Sequence, residues 1–126
     1  MDLRDTSPDV VSELLKFIYT GKCCLNDEEP DPEIACGLLD AADKYELEHL
    51  KEMCQYTLSS SLTIENSIQY FALGDMYGAR SLKKRALNKI VRNRKSILGT
   101  EEWKDCAKNR AHLMADIAEA MANLND

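Results

Sequence analysis

Three observations predict a mainly α-helical chain of antiparallel hairpins with at most one short N-terminal strand. Apolar residues recur at three- and four-residue spacing through almost every segment, the period of one helix face. Start and stop signals punctuate those segments: Ser7-Pro8, Asp31-Pro32, Thr63 and Thr100 open helices, and Gly21 and Gly78 close them. The sequence also echoes itself. Asp43-Lys44-Tyr45 followed by Leu50-Lys51 recurs 32 residues later as Asp75-Met76-Tyr77 followed by Leu82-Lys83, which reads as two successive helix pairs.

Each element follows in order. Val10, Val11, Leu14, Leu15 and Ile18 share a face of the first helix, which Gly21 stops in a left-handed conformation. Residues 22–30 form an acidic loop. Ile34, Leu38, Leu39 and Ala42 carry a second helix to about Tyr45, and Leu47, Leu50, Met53, Cys54 and Leu58 line a third. Ser59-Ser60-Ser61 marks a break. Thr63 caps the fourth helix, with Glu65 near its positive end and Ile68, Phe71, Ala72 and Met76 inside. Leu82, Ala86, Leu87, Ile90 and Val91 define the fifth. Thr100, Glu101 and Glu102 open a short helix carrying Trp103, and the last helix turns Leu113, Met114, Ile117, Ala118 and Met121 inward. The one strand candidate centres on Leu3.

The chain has 126 residues, 44% apolar and 30% charged, a globular balance. No apolar run approaches the roughly 20 residues of a membrane span, and MDLRDTSPDV has no apolar leader core. The net charge of −6 is divided. Up to Asn66 there are 15 acids and 5 bases; from Ser67 there are 7 acids and 11 bases. The acidic half argues against a whole-surface nucleic-acid binder. Five cysteines, without a C-x-x-C and without a visible leader, point to reduced thiols in the cytosol or nucleus. Cys36 and Cys54 fall within apolar helical patterns, whereas Cys23-Cys24 lies in the loop, where an exposed thiol would be open to oxidation.

No catalytic, cofactor-binding or metal-binding constellation emerges. His49 and His112 are far apart and belong to no zinc-spaced cluster. The glycines are scattered singly, so there is no phosphate loop, and Glu28-Glu29 sits among like charges. Eight cations between Arg80 and Lys95 read as a solvated helix face without interleaved aromatics. An independent helical domain using this face for an acidic or nucleic-acid partner is the alternative functional reading.

Several segments together resemble one family. PDVVSELLKFIYTGK resembles the BTB/POZ helix that ends in F-I-Y-T-G, and LLDAADKYELEHLKEMCQYTL resembles the helical hairpin that follows it. SLTIENSIQYFALGDMYGARSLKKRALNKI and ILGTEEW resemble the 3-box and BACK regions of the MATH–BTB group, typified by speckle-type POZ protein. The resemblance implies that residues 1–60 correspond to the C-terminal part of a BTB/POZ domain, and residues 61–126 to a 3-box and shortened BACK-like region. It further implies a non-catalytic adaptor scaffold that binds the N-terminal domain of cullin-3 within a ubiquitin ligase. The implied cullin-facing residues are Asp43, Lys44 and Glu46, with Thr63, Glu65, Asn66 and Gln69 in support. Tyr45, Leu47 and Leu50 are expected to point to the core, leaving Asp43 and Lys44 free at the turn. A complete BTB domain of this family has a dimer-forming first helix and most of a small sheet upstream. Leu14, Phe17 and Ile18 are therefore expected to form an uncovered patch that drives self-association.

Overall fold

The computed structural model describes residues 7–123. Eight α-helices run through them: α1 (Pro8–Thr20), α2 (Pro32–Lys44), α3 (Glu48–Ser60), α4 (Ser67–Met76), α5 (Arg80–Arg92), α6 (Arg94–Ile97), α7 (Glu101–Asn109) and α8 (Ala111–Ala122). One 3-10 turn, Cys24–Asn26, joins α1 to α2. There is no strand among the described residues, and the strand expected at Leu3 lies outside them. The helices fall into two compact units. The first holds α1 to α3 with Tyr77–Ala79; the second holds α4 to α8.

In the first unit, α2 and α3 form the central hairpin, with α1 against α2 and the 3-10 turn against α3. Asp31 caps α2 by accepting the Glu33 N–H at 2.9 Å, and Pro32 occupies the first turn, where its missing N–H costs nothing. Ser7 makes no side-chain cap bond; Pro8 opens α1. Leu38, Leu39, Leu50 and Leu58 are fully buried. Each contributes about 1.5–3 kcal/mol of transfer free energy to the unit.

In the second unit, α4 and α5 pair most closely, α8 packs on α5 and α7, and α7 touches α4. Phe71, Leu82, Ile90, Ile97, Leu113 and Ile117 fill its centre. Gly74 lets the α4 backbone approach α5: a Cβ there would stand 2.8 Å from the Lys83 Cα and backbone nitrogen. The fifth helix ends earlier than the basic run does. Asn93 turns its Nδ2 back to the Lys89 carbonyl at 2.8 Å, and the chain restarts in the single turn of α6.

The internal echo is structural. Shifted by 32 residues, Ala35 and Ser67, Leu50 and Leu82, Cys54 and Ala86, and Leu58 and Ile90 are all buried counterparts. Each hairpin reverses through a residue of positive φ at the same register, Glu46 at 55° and Gly78 at 64°. Glycine suits that conformation, whereas a glutamate there carries backbone strain. Around Glu46 the Leu47 N–H bonds to the Ala42 carbonyl at 2.9 Å, closing α2 in a Schellman-type turn.

Several burial expectations are corrected. Leu14 is 3% exposed, because it follows Val10 by four residues on the face turned inward. Leu15 and Ile18 lie one step further round the helix and are exposed, so α1 presents Leu15, Ile18 and Tyr19 instead of Leu14. Phe17 is half-buried and stacks on His49 with centroids 6.2 Å apart. Tyr45 and Met76 are exposed because each stands where a helix ends and the chain leaves its packed face. Ala118 is exposed, about 100° round α8 from the buried Ile117.

Candidate protein-interaction surfaces

In the first unit, Asp43, Lys44 and Glu46 come together at the α2–α3 turn. Asp43 does not stand free, as the sequence had implied. Its Oδ1 accepts from Lys51 Nζ at 3.0 Å across the hairpin. The Lys51 side chain is only 14% exposed, and Asp43 is the one carboxylate paired with it among the described residues. Lys44 and Glu46 are exposed and pair with no partner among the described residues. They are the side chains of this turn that reach furthest into solvent. On α1, Tyr19 is 84% exposed, beside Ile18 and Leu15. Sequence reading missed Tyr19, although the three-residue step from Lys16 on the solvated side of α1 was a usable signal.

In the second unit, Thr63, Glu65, Asn66 and Gln69 shape the entry to α4. Asn66 Oδ1 accepts the Thr63 N–H at 2.7 Å, and Thr63 Oγ1 accepts the Asn66 N–H at 3.2 Å. These reciprocal bonds form a capping box with asparagine in the usual place of glutamate or glutamine. The buried Ser67 donates to the Ile64 carbonyl at 2.8 Å and fixes the same turn. Thr63, Glu65 and Gln69 are exposed and Asn66 is half-buried. The geometry thus divides this group: Thr63 and Asn66 hold the turn, while Glu65 and Gln69 face outward.

The echo places a second ion pair at the α4–α5 hairpin. Lys83 Nζ lies 2.8 Å from Asp75 Oδ1 and 3.3 Å from Asp116 Oδ2, and 5.7 Å from the centroid of the Phe71 ring. His112 Nε2 reaches the other Asp75 oxygen at 2.9 Å. Lys83 is therefore an internal tie among α4, α5 and α8, not part of the solvated basic face expected of it. The Lys83 ammonium, then His112, hold the Asp75 carboxyl below its ordinary value of 3.8. Asp75, with Asp116 in support, raises Lys83 above 10.5.

The sign follows from these directions. Asp75 contributes stability above about pH 3.8 and loses it as the pH falls through its lower folded value; Lys83 contributes below about 10.5 and loses it as the pH rises through its higher folded value. Lys83→Met is expected to lower unfolding free energy by about 1 kcal/mol, since these partly exposed pairs are screened by solvent. Urea melts across pH check this: the deficit should be flat near neutrality and shrink below about pH 3.8. A deficit that persists undiminished at pH 2 would assign the loss to packing of the lysine stem instead.

The cysteines are free. Cys23 is buried, which corrects the expectation of an exposed thiol pair in the loop. Burial and then Glu13 push Cys24 up to about 11, and burial raises Cys54 still further. These thiols stay protonated at neutral pH and are poor nucleophiles. Among the described residues, no three His, Cys, Asp or Glu side chains converge in a way that could hold a metal ion. No helix among them is long and apolar enough to cross a membrane.

The described helices thus present polar turns and, on α1, an exposed apolar row. Residues 1–62 match the BTB/POZ domain, a protein-interaction domain. Over 117 residues, 93% of the chain, the sequence is 39% identical to "Protein maternal effect lethal 26" of Caenorhabditis elegans. The chain spans 29% of the length of that relative. The BTB/POZ match ends at residue 62, just under half of the chain, and the similarity to that relative extends through the helices that follow.

Proposed function

We propose that this chain is the cullin-binding part of a substrate adaptor of the MATH–BTB kind, with residues 61–126 serving as its 3-box and shortened BACK-like region. The observation that carries the reading is the BTB/POZ match over residues 1–62, whose helices end in exposed, geometrically fixed turns. Lys44 and Glu46 at one turn, and Glu65 and Gln69 at another, meet the N-terminal domain of cullin-3. Asp43, Thr63 and Asn66 act through the turns they hold. The chain performs no chemistry; it fixes distances between a ligase and a substrate reader. The row of Leu15, Ile18 and Tyr19 is apolar surface that an assembled complex covers, by cullin or by a second copy.

A pull-down with the cullin-3 N-terminal domain tests this. The chain is expected to retain cullin, and Tyr19→Glu with Ile18→Glu to lose at least about tenfold in capture, as truncating an apolar anchor does. The same samples in light scattering show whether that row also supports self-association. Absence of capture by the folded wild-type chain would refute the cullin assignment.

A further inference from the structure

The basic stretch between Arg80 and Lys95 is not absorbed by the adaptor reading. It contains eight cations and no acid. Lys83 is turned inward onto Asp75 and Asp116, and Arg94 donates to the Val91 carbonyl at 3.0 Å. Arg80, Lys84, Arg85 and Arg92 are exposed and have no carboxylate partner among the described residues. They form a stripe down a helix about 20 Å long. Surface helices usually intersperse acids with their bases to gain pairs at four-residue spacing; α5 makes none.

One edge of this stripe is the lip of a groove between α5 and α8, about 420 Å³ in volume. Leu87 and Ala120 supply its apolar floor, and Arg80 and Lys84 stand on the α5 side. On the α8 side Asp116 shares Lys83 with Asp75, at 3.3 Å, and Glu119 has no ion pair among the described residues, so the three cations of the lining outnumber its two acids. The groove therefore offers an apolar seat beside two unpaired cations one helical turn apart.

We infer that this groove and its cationic lip form a second docking surface, for an acidic amphipathic segment of a partner protein. An apolar side chain of that segment rests on Leu87 and Ala120. Acids one turn apart face Arg80 and Lys84, the helix-in-groove mode of recognition. A nucleic acid would use the charge but not the floor. No aromatic side chain lines the groove to stack a base. The inference does not depend on cullin binding, because it concerns different residues.

Fluorescence anisotropy tests it, with the folded chain and a labelled synthetic helical peptide of Glu, Ala and Leu whose leucines lie along one face. A second peptide replaces Leu by Ser at equal charge, and labelled oligo-dT serves as the nucleic-acid probe. The Leu peptide is expected to bind, and Arg80→Glu with Lys84→Glu to weaken it about tenfold, as reversal of two exposed pairs permits. The Ser peptide is expected to bind at least about fivefold more weakly, the effect of losing a seated apolar side chain. Both substituted positions are exposed, so the helical circular dichroism spectrum should be unchanged. Equal binding of the two peptides, unchanged binding by the double variant, tighter binding of oligo-dT, or no binding at low salt would each overturn the inference.

Discussion

Phe71→Ala is expected to lower unfolding free energy by about 3–5 kcal/mol, the range for emptying a fully buried aromatic site. Phe71 is completely buried in α4, and its ring also faces the Lys83 ammonium at 5.7 Å. The loss combines transfer of the ring to water, the cavity left between packed helices, and a cation–π contact worth about 0.5–1 kcal/mol. A domain of this size has only about 5–15 kcal/mol in hand, so the variant should melt at a much lower urea concentration. Tyr56→Ala is the matched control. That ring is 76% exposed, and its removal should change stability by no more than about 0.5 kcal/mol. A Phe71 variant as stable as the Tyr56 control would show that α4 does not pack as described.

Gly74→Ala is expected to be destabilising by about 1–3 kcal/mol, the cost of overpacking a filled contact. This reverses the usual sign. In an unobstructed helix interior, replacing Gly by Ala gains roughly 1 kcal/mol. At Gly74 the new methyl would meet the Lys83 Cα, Cβ and backbone nitrogen, each at 2.8 Å, so α4 and α5 must separate. Separation would also lengthen the Asp75–Lys83 pair that crosses the same point. Gly37 gives a contrast: there the atoms nearest an added Cβ belong to the Val10 side chain rather than to backbone, with its methyl groups 2.5 and 3.2 Å away. Chemical denaturation of both variants should rank Gly74→Ala well below Gly37→Ala. The opposite ranking would contradict the close backbone approach of α4 to α5.

Much of this fold was legible because helix starts carry local chemistry. Asp31 and Thr100 both accept the backbone N–H bonds that their residue types promise, and Gly21 adopts the left-handed conformation expected of a helix stop, with φ 77°. Periodicity found the buried faces but could not fix their width. It joined Leu15 and Ile18 to the face of Val10 and Leu14, because a five-residue apolar set does not say how much of the helix a neighbour covers. The ends of helices were read as core for a similar reason: Tyr45 and Met76 keep the period, but the chain departs there.

The 32-residue echo also carries the ion pairs and the turn conformation. Aligning Asp43 with Asp75 and Lys51 with Lys83 marks both ion pairs, since a repeated acid and a repeated base eight residues apart across a reversal face each other. The same alignment sets Glu46 against Gly78, which identifies a glutamate in a conformation that favours glycine. It also sets exposed Lys44 against Met76, and so predicts that Met76 faces solvent. The tie from Asp75 to His112 and from Lys83 to Asp116 was not legible, because α8 lies outside the repeat and only tertiary packing brings it near.

For the candidate interaction residues, sequence alone supplied positions but not their division of labour. Asp43 looked available because acids at turns usually are; its partner Lys51 is contributed by the next helix. Thr63 and Asn66 satisfy one another, leaving Glu65 and Gln69 outward. The proposed function has the chain bind the cullin-3 N-terminal domain through exposed turn residues. Isothermal titration calorimetry of that domain with the wild-type chain, Lys44→Glu and Glu65→Lys tests it most directly. Measurable wild-type binding is predicted, weakened about three- to tenfold in each variant, the scale of a reversed interfacial charge, with the helical spectrum retained. Identical affinity in all three proteins, or no heat of binding from the folded wild type, would contradict it.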